Sequence, residues 1–485
     1  MPRRKPPLWL AIVASSVPMF MVALDNLVVS TALTAIRADL GSDLEQLQWV
    51  VNAYILGFAG LLMTGAAVGD RYGRRKVFIA GITFFTIFSA LCGMAQTSEW
   101  LIALRGLQGM AAAFVMPLSL TLLSAAVPDK MRSAAVGIWS GISGLAIAMG
   151  PLVGGLVVDG LDWRWIFWVN IPIGVIAIPL ALFALAESRG PAGGLDLFGV
   201  LLAAGAVVSI VWATVRASDD GWVSRPVILA FAGAIGLLAV FIEQEVLSRH
   251  PLLPLGLYRS RAFALTNVVS LAMNFGVFGA IFLLAQYLQF AQGYTALEAG
   301  VRTLAWTLVP MVFAPLAGLF TDRIGGGRLM AAGLLLQAVG LAWINRVAEP
   351  STPFMDIVAP MMIAGAGMGL VFAPASAVVL ASVRERDRGR ASGANTTIRE
   401  IGGALGVAVL GTVFAGAGSY ANPDAFVDGL RPAIWVGVGV LVVGGLLGLF
   451  IPRRVRPPVD PAEPPAARYE SPEPEQVDVR VPTPV

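Results

Sequence analysis

The chain has 485 residues, of which 57% are hydrophobic and 13% charged, and its mean hydropathy is +0.78. Soluble domains carry about 25% charged residues, so the composition excludes a soluble globular protein. One cysteine, Cys92, and one histidine, His250, cannot build a Cys/His metal centre or a disulfide, and a Ser-His-Asp triad would have to recruit His250 from a basic loop. A net charge of +3 gives no reason to expect a nucleic-acid partner. No metal and no cofactor are expected, and the composition argues against an enzyme.

In chain order, runs of about 20 apolar residues, enough to cross a bilayer, occur at 8–33, 49–69, 77–95, 100–127, 135–158, 165–186, 197–215, 226–247, 263–289, 299–320, 329–345, 355–381, 391–415 and 432–451. The basic start Pro2–Lys5 has the look of a signal-peptide head. The run behind it is too long and lacks a small-residue cleavage site, so no cleavable signal is expected. An even number of spans puts both termini on one side. With the N-terminus inside, the inner loops and the tail hold 24 of the 33 Lys and Arg residues, and the outer loops hold 6. That bias places both termini in the cytoplasm. After Pro452 the chain is rich in Pro, Glu and Asp and cannot bury a core.

The first span carries Asp25 well inside its apolar run. A carboxylate there costs about 2.5–3.5 kcal/mol on insertion scales, and such groups mark ion or substrate paths. A hydrogen bond to a neighbouring helix is the plainer alternative. Arg105 is a second charge inside a span. At 1.5 Å per residue Asp25 lies about 25 Å from the inner end of its span and Arg105 about 8 Å from the outer end of the fourth. Both fall in the outer half of the bilayer, where they can face each other.

The chain repeats itself. Asp70-Arg71-Tyr72-Gly73 recurs as Asp322-Arg323-Ile324-Gly325, Pro117-Leu118-Ser119 as Pro374-Ala375-Ser376, and the Arg132 loop as the Arg388 loop, with offsets of 252, 257 and 256 residues. Three matches at nearly constant offset argue for two homologous six-helix halves with a substrate path between them. The expected organisation is 1–190 for the N-terminal half, 191–250 for two extra central helices, 251–452 for the C-terminal half and 453–485 for a Pro-rich tail.

Between the second and third spans, Gly69, Asp70, Arg71, Gly73, Arg74 and Arg75 form a glycine-punctuated charged loop. Asp70 there can cap the next helix or pair with a basic partner, acting as a conformational latch. In the fifth span Gly141, Gly150, Pro151, Gly154 and Gly155 stand close together. Ala146, Gly150 and Gly154 recur every four residues as a smooth stripe, and Pro151 removes an internal hydrogen bond.

With these motifs the chain resembles the major facilitator superfamily, and with fourteen spans its drug:proton antiporter family. The 65–76 loop is similar to the superfamily's helix 2–3 signature, although Ala66 stands where a glycine is usual. Leu24–Leu33 resembles the family's first-helix signature, Leu101–Gly109 its fourth-helix signature, Gly141–Gly155 its fifth-helix antiporter signature and Trp163–Gly174 the start of its sixth helix. The resemblance implies an all-α major facilitator fold: two six-helix halves plus two central spans. It implies a monomeric exporter in the bacterial cytoplasmic membrane that exchanges protons for lipophilic, cationic drugs or antibiotics. Asp25 and Arg105 are then the proton-coupling residues, joined by Glu400 and Arg399 in the thirteenth span. As chain neighbours these last two project about 100° apart and are not expected to pair. A cavity with Trp49, Asn52, Tyr54, Asn274, Gln286, Tyr287 and Trp306 would receive the substrate through burial and cation–π contact. The alternatives are an exporter of one endogenous metabolite and a non-transporting membrane sensor.

Overall fold

The computed structural model describes residues 7–189, 196–248, 255–384 and 387–453. The expected boundaries near 190 and 250, His250, and the tail beyond Arg453 lie outside the described residues. Apart from one 3-10 turn at Leu255–Arg259, the regular structure is a series of helices. These are α1 (Leu8–Leu40), α2 (Leu44–Tyr72), α3 (Arg74–Cys92), α4 (Ser98–Ala126), α5 (Asp129–Gly160), α6 (Trp165–Trp168), α7 (Asn170–Ala184), α8 (Leu197–Asp220) and α9 (Arg225–Leu247). They continue as α10 (Arg261–Gln286), prolonged by a π-helical turn (Tyr287–Ala291), α11 (Ala296–Thr307), α12 (Val309–Ile324), α13 (Gly326–Val347), α14 (Phe354–Ala381), α15 (Arg388–Ala417) and α16 (Pro423–Gly448).

A helix occupies each of the fourteen apolar intervals, with α6 and α7 sharing one and α11 and α12 another. Among the described residues, twelve stretches are long and apolar enough to cross a membrane, and bent α2 makes a thirteenth if its two parts are one span. Polar capping carries several helices beyond their apolar runs. Asp43 and Gln46 close a capping box that starts α2 at Leu44, and Asn422 accepts from the Ala425 N–H to start α16 at Pro423. The break between α11 and α12 falls just before Pro310, whose ring in an unbroken helix would meet the carbonyl of Trp306.

Two bundles with matching packing emerge. In the first, α1 lies on α5, α2 on α4, and α3 on α4 and α7. In the second, α10 lies on α15, α12 on α14, and α13 on α14 and α16. The bundles meet where α5 packs on α11 and α2 on α15. Helix α8 covers the α2–α15 seam and pairs with α9, whose apolar side chains, such as Ile235 at 68% exposure, face outward. Such a surface suits lipid rather than water. The repeat extends to backbone detail. The tight α2–α3 and α12–α13 junctions turn on Gly73 (φ 113°) and Gly325 (φ 98°), a region that side chains with a Cβ disfavour. Glu187, just past α7, sits against the first and Arg453, just past α16, against the second.

Contacts between the bundles gather at one end. Gln289 donates to the Thr31 carbonyl at 3.0 Å, Asp159 accepts from the N–H groups of Ala296 and Leu297, and the Arg37 guanidinium lies 3.9 Å above the Tyr420 ring centroid. All these residues belong to the end where α1 passes into α2 and α11 begins. Toward the other end the seam loosens: α5 packs along α11 and barely touches α12.

Candidate functional site: a buried ion pair in the first bundle

Helix α1 is buried almost all round, and Asp25 is 1% exposed. Its carboxylate is held by three side chains from two helices. Arg105 Nη1 donates to Oδ2 at 2.5 Å, while Gln108 Nε2 at 3.0 Å and Asn170 Nδ2 at 2.9 Å both donate to Oδ1. Arg105 and Gln108 are three residues apart on α4 and therefore share a face, and Arg105 also donates to Gln108 Oε1 at 2.9 Å. Asn170, at the start of α7, is itself held by Ser89 Oγ at 3.0 Å, and that hydroxyl donates to the Phe167 carbonyl. Cys92 Sγ lies 3.6 Å from Gln108 Oε1.

The guanidinium is positioned just as firmly. Its Nε donates to the Val50 carbonyl at 3.3 Å, and Tyr54 lies beneath it at 4.2 Å from the ring centroid. The α2–α4 contact that permits this is made by backbone meeting backbone. A Cβ on Gly109 would come within 2.1 Å of the Tyr54 carbonyl oxygen, and one on Gly57 within 2.4 Å of that of Gly106. Arg105 is 1% exposed. The result is a buried salt bridge with its hydrogen-bonding groups largely satisfied, the form in which a charge pair is tolerated in a low-dielectric interior.

The other residues singled out from sequence are distributed as follows. Tyr54 is buried with its ring on Arg105 and its hydroxyl donating to the Val22 carbonyl, so it belongs to the ion pair rather than to a cavity wall. Gln286 and Tyr287 sit at the clasped end, away from the middle of the bundle. Gln286 Oε1 accepts from the Tyr420 hydroxyl, and Tyr287 donates to the Glu349 carbonyl at 2.7 Å. Trp49 is half-buried, Asn274 is buried on α10, and Trp306 is buried on α11 with its indole N–H unpaired. Asn52 is fully buried on α2 with neither end of its amide hydrogen-bonded.

Glu400 stands about 18 Å along α15 at 1.5 Å per residue, near the middle of the helix. It is 6% exposed and its Oε2 has no hydrogen-bond partner. The expectation that Arg399 would turn away from it is corrected. Arg399 Nη2 comes within 3.8 Å of Glu400 Oε1, because the long guanidinium swings back while also lying 5.3 Å from the Phe372 ring centroid.

In the charged loop, Asp70 pairs with Arg74 four residues on at 2.7 Å, and no bond from it to the second bundle occurs among the described residues. The cap of α3 comes instead from Glu187, which accepts from the N–H groups of Arg75 and Lys76. Arg75 also donates to the carbonyls of Leu182 and Leu185. Arg71 lies 5.6 Å from the centroid of the neighbouring Tyr72 ring. Gly65 and Gly69 both face α4, against Ala113 and Leu118, so the missing glycine at Ala66 leaves no gap in that contact. In α5, Gly150 and Gly154 press on Leu27, Val28 and Thr31 of α1, within the first bundle. Gly155 presses on α11, and the Pro151 carbonyl lies against Gly300, across the seam. Gly141 has open space around it.

Gln108 and Asn170 lie inside the Leu101–Gly109 and Trp163–Gly174 motifs, which assign them no role. A polar side chain in an apolar run was the available signal. Ser89, Glu187, Asp159 and Tyr420 carry no comparable signal.

Two homologous-looking helical bundles meeting along a seam, with a buried ion pair in one, define a multi-pass membrane transporter rather than an enzyme. The chain belongs to the Major Facilitator Superfamily, whose profile matches residues 16–302 and 264–481. It is 32% identical over 428 residues to the tetracenomycin C resistance and export protein of Streptomyces glaucescens, covering 88% of this chain and 79% of that one. It is 34% identical over 463 residues to the puromycin resistance protein pur8 of Streptomyces alboniger, covering 92% and 91%. It is 35% identical over 409 residues to the multidrug resistance protein Stp of Mycobacterium tuberculosis, covering 84% and 76%. Among solved structures, an inward-facing bacterial homologue of the human lysosomal transporter Spinster superposes with a TM-score of 0.65 at 17% identity, covering 92% and 97%. A D-xylose–proton symporter superposes at 0.64 and 13%, covering 92% and 98%. At such identities the likeness is one of fold.

Proposed function

We propose that this chain is a fourteen-span, proton-coupled antiporter that exports lipophilic, cationic drugs or antibiotics across the bacterial cytoplasmic membrane as a monomer, with both termini in the cytoplasm. The observation that carries the coupling is the Asp25–Arg105 bridge, 2.5 Å long and fully buried. A proton arriving on Asp25 from outside cancels one charge of the pair. Arg105 then keeps the Val50 carbonyl, Gln108 Oε1 and the Tyr54 ring as partners. Protonation thus changes how α1 is held to α4 without leaving a bare cation, which suits a two-state element. Glu400, with one unpaired carboxylate oxygen, is the second proton or cation site. Asn52 and Trp306 offer unpaired buried polar groups on helices α2 and α11, which line the seam. Substrates that are drugs or antibiotics are supported by the resistance proteins it resembles, and entry from the cytoplasm by the seam that is clasped at only one end.

In everted, energised vesicles Asp25→Asn is expected to abolish substrate uptake coupled to the proton gradient while binding persists. Coupled transport at the wild-type rate by that variant would overturn the role given to Asp25.

A second reading, export of a single metabolite made by the same cell, is supported by relatives whose names carry one antibiotic each. The breadth of resistance conferred on a sensitive host separates the two. Resistance to several unrelated lipophilic cations favours the first reading, and resistance to one compound the second.

A further inference from the structure

Where the two bundles are clasped, one contact is electrostatic and made by a carboxylate from one bundle to the backbone of the other. Asp159, in the last turn of α5, accepts from the Ala296 N–H with Oδ1 at 3.0 Å and from the Leu297 N–H with Oδ2 at 2.8 Å. These are the first two N–H groups of α11, which have no partner within the helix. The third, on Glu298, is capped by Thr295 of the same bundle. The positive end of α11 is therefore satisfied half by its own bundle and half by the other. Steric fit beneath the carboxylate fixes the geometry, since a Cβ on Gly155 would come within 2.4 Å of the Ala296 carbonyl oxygen.

We propose that Asp159 is a positioning residue of the transport cycle, the removable pin that holds the bundles closed at this end and so sets how often the exit opens. Parting the bundles strips two N–H groups of their acceptor and a carboxylate of its helix terminus, whereas the Arg37–Tyr420 contact is a cation–π stack without a hydrogen bond and the Gln289–Thr31 contact is one hydrogen bond. Identifying this end with the outer face rests on the orientation proposed above, with both termini in the cytoplasm. The pin itself does not.

The test is a distance measurement on the full-length chain in lipid nanodiscs. Spin labels go at Gln96 and Ser351, exposed positions in the loops on opposite sides of the clasped end, and buried Cys92 is left in place. The unaltered chain is expected to give one short distance. Asp159→Ala is expected to add a longer one and to raise the open-to-closed ratio about two- to fivefold. Asp159→Asn, which keeps one acceptor oxygen, should fall between and serves if the alanine variant does not fold. Gly155→Ala, which wedges the same seam, shows that opening is detectable. Distances in both Asp159 variants that superpose on those of the unaltered chain, while Gly155→Ala opens the seam, overturn the proposal. Failure of proton-coupled export with the distance shift intact would instead count against the function and leave the pin standing.

Discussion

Removing Arg105 leaves the Asp25 carboxylate buried without its counter-charge, where both groups are 1% exposed. Losing one partner of such a pair costs about 3–5 kcal/mol, whereas replacing both by neutral groups is often close to neutral. Arg105→Ala should therefore lower the unfolding temperature in detergent sharply. The double change Asp25→Asn with Arg105→Gln should recover most of that loss, because Gln108 and Asn170 keep partners of the right kind. A double variant no more stable than Arg105→Ala alone would mean that the surrounding packing, not the charge, holds the site. Arg105→Lys should rescue only partly, since one ammonium cannot serve Asp25, Gln108 and the Val50 carbonyl while lying flat on Tyr54. Asp25 and Arg105 were legible in the sequence because a charge within an apolar run is too costly to be incidental. The place of Tyr54 beneath Arg105 was not legible, for the opposite reason: an aromatic ring in a membrane helix is ordinary, and nothing local says that a guanidinium lies on it.

Helices existed where the apolar runs were, but their ends did not follow from hydropathy. The Asp43–Gln46 capping box begins α2 at Leu44, and Pro310 divides one apolar interval into two helices. The small-residue stripe of α5 was legible as a close contact, yet its partner was not: Gly150 and Gly154 meet α1, and Gly155 meets α11. Spacing along one helix fixes which residues share a face and says nothing about what that face touches. The glycines consequently divide into two classes with opposite expected effects. Gly109→Ala places a methyl 2.1 Å from the Tyr54 carbonyl oxygen, an overpacking that costs about 1–3 kcal/mol and sometimes more. Gly141→Ala adds a methyl to open space and should stabilise α5 by about 0.5–1 kcal/mol. Thermal unfolding of the two variants checks both signs. Equal stability would mean that α2 and α4 can move apart freely, which a rigidly held Arg105 does not allow.

At the scale of the whole molecule, the repeat was legible from three short matches and reappears as two bundles with the same helix pairings and the same glycine turns at Gly73 and Gly325. Which end of the seam is closed was not legible, because that depends on the balance of many contacts between α1, α2 and α5 on one side and α10, α11 and α15 on the other. The charge bias supplies the missing direction. Lys76, Arg323 and Arg453 stand at the loose end, together with most of the 24 basic residues assigned to inner loops and tail. In the proposed orientation, with positive loops retained in the cytoplasm, the loose end is the inner one and the clasped end the outer. Single cysteines introduced at Gln96 and Ser351 should react with a membrane-impermeant maleimide in intact cells, and those at Lys76 and Arg323 only after lysis. Cys92 is buried and gives a silent background. The reverse pattern would turn the molecule over and put the clasp in the cytoplasm. The pin at Asp159 would then control substrate entry instead of release.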